Sequence, residues 1–183
     1  MAEQTSVVTL ERFATGFTYG EYIAQIKVNH DKFEEYTETS KSILNDNDVA
    51  FFKKAADAGT AKMLVVGEDW CPDVYRGLPV FTHIADAAGV ELRVFPRDEN
   101  LDIADEFLNR GEFRSIPTVI FYTDSGDYLC HWIERPVIGY QEGEQFVEEA
   151  RKELPEGTEE AEVRKLARPR LTERYPAWQK ATV

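Results

Sequence analysis

The sequence predicts an α/β fold in which a mixed central sheet is flanked by helices, with a helical extension before it and a helical tail after it. Three observations carry that prediction. The run Met63–Val66 is wholly apolar, as expected of a strand buried on both faces. From Gly59 onward, strand-like and helix-like periods alternate. Further on, Pro117–Tyr122 and Tyr128–Ile133 are strand-like runs joined by Thr123-Asp124-Ser125-Gly126-Asp127, a hairpin turn by its composition.

Each element has its own signal. Thr5–Leu10 is β-prone and reads as an edge strand or a frayed end. Between Tyr19 and Leu44, Tyr22, Ile23, Ile26, Val28, Phe33, Tyr36 and Ile43 recur at mostly helical spacing, with Asp31 placed to cap a second helix. Asn45–Asp48 reads as a turn ending in the cap of another helix, which carries Val49, Phe51, Phe52, Ala55 and Ala56 and has Gly59 just past its end. After the strand at Met63–Val66, Pro72–Ala88 is a helix with Leu78, Phe81, Ile84 and Ala85 inward, closed by Gly89. Val90–Phe95 is a second strand. Asn100–Arg110 is a helix with Leu101, Ala104, Phe107 and Leu108 inward, closed by Gly111. Gln141–Leu154 is a further helix, stopped by Pro155, and the charged segment Thr158–Leu171 is an outer helix with a solvated face.

Two strands joined by a helix imply a parallel pair, and the hairpin adds an antiparallel edge. The expected organisation is a helical extension over 1–59 packed on an α/β domain over 60–154, then a helical tail over 155–183. Trp132, Phe51, Phe52, Phe81, Phe107 and Phe113 are expected to pack in the core. No internal repeat or low-complexity linker interrupts this order.

Charge narrows the function classes. The chain has 183 residues and a net charge of -13, and an acidic surface repels both nucleic-acid phosphates and anionic lipid. No apolar run approaches the roughly 20 residues that span a bilayer. Met1–Glu11 lacks the basic and apolar regions of a secretory signal, so a soluble, cytoplasmic protein is expected. Two cysteines, Cys71 and Cys130, cannot build a disulfide framework and suit a reducing compartment. His30, His83 and His131 lie too far apart to suggest a zinc site, and no metal or cofactor is expected.

The residues with chemistry lie in Gly67-Glu68-Asp69-Trp70-Cys71-Pro72-Asp73-Val74-Tyr75-Arg76, between the buried strand and the long amphipathic helix. Pro72 suits the first helical position, which places Cys71 at the cap. A thiol there faces backbone N–H groups and the positive end of the helix dipole, and both favour the nucleophilic thiolate. Asp73 competes for the same field, and Arg76, three residues on, is placed to offset it. The plain alternative is that Cys71 is a small buried residue, as cysteine often is.

This loop resembles the active-site loop of the thioredoxin superfamily, where a tryptophan precedes the first cysteine of a Cys-x-x-Cys pair. Arg114-Ser115-Ile116-Pro117-Thr118 resembles the loop in which that family sets a cis-proline beside the cysteine. The resemblance spans about Ala61–Leu154 and implies a thioredoxin fold. The Trp-Cys-x-Asp pattern and Arg97-Asp98-Glu99-Asn100 are most similar to a bacterial thioredoxin-like branch. Val74 stands where the family has its resolving cysteine, and Val65 where thioredoxin has a buried acid. Cys130, mid-strand in the hairpin, is no substitute.

The resemblance therefore implies a single-cysteine thiol-disulfide oxidoreductase. Cys71 would attack a protein or small-molecule disulfide, and an external thiol would resolve the product. Trp70, Pro72, Asp73, Ile116 and Pro117 would contact the substrate, and Arg76 and Arg114 would support the thiolate. A redox-silent binding module that keeps the groove is the alternative.

Overall fold

Polar side chains start the early helices of the computed structural model, which describes residues 6–183. Thr9 caps α1 (Leu10–Ala14) by accepting from Arg12 N. Thr18 and Glu21 form a reciprocal capping box at α2 (Tyr19–Gln25). Helix α3 (His30–Ser40) follows Asn29 in the left-handed conformation, so Asp31 lies in its first turn and is not its cap. Asn45 caps helix α4 (Asp46–Asp57), and Asp48 is its partner in a second capping box rather than the cap. The expected β-prone start is not a strand over its described residues, and Thr5 lies outside them. There Ser6 Oγ and Val7 N bond the Glu106 carboxylate instead of a strand partner.

Four strands form one sheet in the order β2-β1-β3-β4: β1 (Lys62–Gly67), β2 (Glu91–Pro96), β3 (Thr118–Tyr122) and β4 (Tyr128–Ile133). β1 runs parallel to β2 and antiparallel to β3, and β3 and β4 form the antiparallel hairpin. With neighbours on both edges, Leu64, Val65 and Val66 have no exposed surface, as their apolar run requires. Helix α5 (Pro72–Ala88) joins the parallel pair and ends on Gly89 in the left-handed conformation. The result is a four-stranded mixed sheet flanked by helices, a thioredoxin fold.

Aromatic rings join the early helices to α5. Phe33 meets Tyr22 and Tyr75 edge-on, and Tyr36 stacks on Tyr75. Ahead of α2, Phe17 exchanges two backbone hydrogen bonds with Val94 of β2. Gly16 permits this approach, since a Cβ there would lie 2.4 Å from the Phe95 ring.

Some core expectations fail. Phe51 is 66% exposed and Phe113 57% exposed, while Phe81 is buried against Trp132. Adjacent residues on a helix cannot face one side together, and in α4 it is Phe52 that packs inward. Helix α6 (Leu101–Glu106) is shorter than its periodicity suggests. Phe107 leaves the helix to stack on Tyr128, and Arg110 and Gly111 turn the chain at positive φ.

The chain divides into two compact units between Glu134 and Arg135, earlier than the boundary expected after Leu154. The second unit is a helical hairpin of α7 (Val137–Lys152) and α8 (Glu160–Lys180). Ala150, Val163 and Ala167 are fully buried, small enough to let the helices approach closely. Helix α7 starts before the expected Gln141, directly after Pro136. Helix α8 runs past the expected Leu171, through Pro169 and Pro176, to bury Trp178. Glu142 of α7 accepts two hydrogen bonds from the Arg174 guanidinium and one from Trp178 Nε1.

Candidate functional site

The antiparallel pairing of β1 and β3 aligns Val66 with Thr118. The residues that follow β1 and those that precede β3 therefore emerge at one end of the sheet. Cys71 sits at the N-cap of α5 in extended conformation, with Pro72 as the first helical residue. Its thiol donates to Ile116 O at 3.6 Å, and the Ile116–Pro117 peptide bond is cis. The Pro117 ring lies over Gly77, where a Cβ would sit 3.6 Å from it. The two sequence-distant loops thus meet at the sulfur.

Cys71 is 8% exposed and Trp70 beside it 49% exposed. The side chain reaching solvent at the loop is the tryptophan, while the sulfur lies just beneath the surface. Val74 is fully buried, with Gly67 leaving room for it: a Cβ at Gly67 would stand 2.9 Å from a Val74 methyl. Val65 lies in the dry centre of β1, paired with Val94 and Val119.

Arg76 is fully buried and donates to Asp73 Oδ1 at 2.6 Å, so the expected pair on one side of α5 is formed. Its charge offsets that of Asp73 inside the first turn of the helix. Arg114 instead makes a two-bond ion pair with Asp105 at 2.6 and 2.8 Å. Its guanidinium is thereby bound to α6.

Further residues organise the loop in roles that the sequence alone did not assign. Asp69 Oδ2 accepts from Lys27 N at 2.7 Å and Val28 N at 3.3 Å, and Asn29 Nδ2 donates to Asp69 O at 2.8 Å. These bonds tie the α2–α3 connection to the Trp-Cys loop. Glu68 Oε1 accepts from Asp98 N at 2.7 Å. The Arg97 guanidinium stands 5.0 Å from the Trp70 ring centre, bonds the Asp98 carboxylate and donates to Arg114 O. Burial pushes the Glu68 carboxyl above its ordinary range. The sequence signals for this set were the Gly67–Arg76 run itself and the Arg97-Asp98-Glu99-Asn100 stretch that resembles the bacterial branch. Among the described residues, no cluster of His, Cys, Asp or Glu side chains has the arrangement to hold a metal ion.

The profile of a thioredoxin family matches residues 16–151. The chain belongs to this thioredoxin family. Its match begins at Gly16, so the thioredoxin profile takes in α2, α3 and α4 as well as the sheet. No curated protein matches the chain. Among solved structures, a protein of unknown function from Pseudomonas aeruginosa superposes with a TM-score of 0.61 at 15% identity, covering 93% of this chain and 99% of that one. An HIV epitope-scaffold superposes with a TM-score of 0.60 at 17% identity, covering 73% of this chain and 81% of that one. At these identities the likeness is one of fold.

Proposed function

We propose that this thioredoxin-like protein is a single-cysteine thiol-disulfide oxidoreductase, with Cys71 as the nucleophile. The observation that carries the reading is the Cys71 thiol at the start of α5, in contact with Ile116 O of the cis-proline loop. The helix start favours the anion, and the first-turn negative charge that would oppose it, Asp73, is offset by Arg76. The thiol loses its proton to solvent, and the thiolate attacks one sulfur of a protein or small-molecule disulfide. A Cys71–sulfur bond forms, the substrate S–S bond breaks, and the second sulfur leaves as a thiolate that takes up a proton. An external thiol then displaces Cys71 by the same exchange and returns it reduced. Trp70, Pro72, Ile116 and Pro117 border the attacked sulfur, and Asp73 and Arg76 set the charge of the helix start. Arg114 acts by holding α6 to the loop that leads into Ile116. The bacterial branch with the Trp-Cys-x-Asp pattern, and a cytoplasmic setting, belong to this reading.

The test is mixed-disulfide formation by the Cys130→Ser protein with 2-hydroxyethyl disulfide, followed by intact mass near neutral pH. One adduct at Cys71, formed faster than on a free model thiol and absent in Cys71→Ser, is the expected result. A thiol slower than the model compound would sink the reading. That outcome would favour a redox-silent binding module, the reading to which the low exposure of Cys71 lends itself.

A further inference from the structure

A cavity of ≈ 280 Å³ adjoins the Cys71 loop on the side of Trp70. Its wall carries the carboxylates of Glu68, Asp69, Asp98 and Glu99 against one basic residue, Lys27. Part of that charge is already used. Asp69 Oδ2 holds the Lys27 and Val28 N–H groups, Glu68 Oε1 holds Asp98 N, and Asp98 Oδ1 meets Arg97. Four acids against Lys27 and the neighbouring Arg97 still leave the wall negative.

A second observation points to a ligand. Tyr22 lines the same cavity, is 2% exposed, and its hydroxyl has no hydrogen-bond partner. Burial raises the Tyr22 phenol far above its ordinary range, and the charges of Glu68, Asp69 and Cys71 push the same way. A buried oxygen with no donor, beside an excess of carboxylates, fits a cationic donor: an ammonium supplies both the positive charge and the N–H groups.

We propose that this cavity takes the alkylammonium group of the disulfide substrate, so that Cys71 is selective for cationic aminothiol disulfides. This rests on Cys71 being the nucleophile. The step is a thiol exchange: the Cys71 thiolate bonds to the sulfur of the ammonium-bearing half, the substrate S–S bond breaks, and the other half leaves as a thiolate that takes a proton. The ammonium comes from a free aminothiol or from a lysine next to a cysteine in a peptide.

The experiment measures adduct formation at Cys71 in Cys130→Ser protein at low ionic strength, using cystamine, neutral 2-hydroxyethyl disulfide and anionic dithiodiglycolate. Each rate is divided by that of a free model thiol. Cystamine should be favoured over the neutral compound about tenfold, less at high salt. Glu68→Gln and Glu99→Gln should each reduce the preference about threefold. Asp57→Asn, beyond the opposite end of β1, should leave it unchanged. Equal normalised rates both among the small disulfides and between lysine and norleucine peptide disulfides, or a preference that Asp57→Asn lowers as much as Glu99→Gln, would overturn the site. Cysteine-peptide disulfides with lysine or norleucine beside the cysteine separate the two sources. A lysine preference without a cystamine preference assigns the ammonium to a peptide, and a cystamine preference assigns it to a small aminothiol. Should no disulfide react at Cys71, the nucleophile reading falls by itself. The cavity is then decided by titrating n-butylammonium and following the Trp70 indole N–H by NMR. A shift abolished by Glu99→Gln upholds the cation site, and no shift removes it.

Discussion

Val74 is the third residue of α5, with no exposed surface and its methyls against the bare backbone of Gly67. Cysteine is smaller than valine and tolerates an apolar pocket, so Val74→Cys fits without displacing Gly67. Residues three apart in a first helical turn share a side, at a separation compatible with a disulfide. Val74→Cys should therefore bridge its new thiol to Cys71 under mild oxidation and reduce a model protein disulfide faster than the parent with dithiothreitol. Peptide mapping of the oxidised variant checks the bridge, and its absence would show that the loop cannot close as a Cys-x-x-Cys loop does. The native pair should not bridge, because Cys130 is exposed on β4 at the sheet edge, with β3 between it and β1. The roles that local spacing can reveal, Cys71 at a helix start and Asp73 beside Arg76, were readable from the chain. Asp69 and Tyr22 were not, because their importance depends on partners about forty residues away that no local period announces.

Among the elements, helix starts and buried strands were legible because each depends on side chains within a few positions. Helix ends were less so. Phe107 continues the apolar period of α6, yet its ring gains more by stacking on Tyr128 of β4. Helix α8 shows the opposite error, since its two internal prolines argue for an early stop while Trp178 anchors it further on. That anchor carries a pH dependence. The hydrogen bonds from Arg174 hold the Glu142 carboxyl below its ordinary range, and Trp178 adds to this. A depressed folded-state value means that the contribution is complete above the unfolded value near 4.5 and is lost as pH falls through the folded one. The α7–α8 hairpin should therefore lose helicity on acidification more steeply than its Glu142→Gln variant. At neutral pH that variant should be less stable by about 0.5–1 kcal/mol, because the Arg174 side of the pair is open to solvent. Circular dichroism melts from pH 7 to pH 3 decide the matter, and parallel pH profiles for the two proteins would refute it.

At the scale of the whole chain, the antiparallel register of β1 and β3 brings Cys71 to Ile116, and the helical segments before β1 share the compact unit of the sheet. No helix among the described residues is long and apolar enough to cross a membrane. The alternation of strands and helices made the sheet predictable, whereas the division at Glu134 follows from the pairing of α7 with α8, which sequence order does not reveal. The hydrogen bonds between Phe17 and Val94 have a consequence for solubility. β2 is an outer strand of the sheet, and an outer strand left bare is a template on which a second chain can add its own. Phe17 occupies two of the backbone groups along that margin, and Gly16 is the position whose missing side chain lets it do so. A chain beginning at Thr18 should keep its sheet but self-associate as concentration rises, seen as earlier elution in size-exclusion chromatography, with Gly16→Val in the full chain tending the same way. A truncated chain that stays at the parent's size across that range would show that β2 needs no guard, whereas association would make the short segment ahead of α2 a barrier against aggregation.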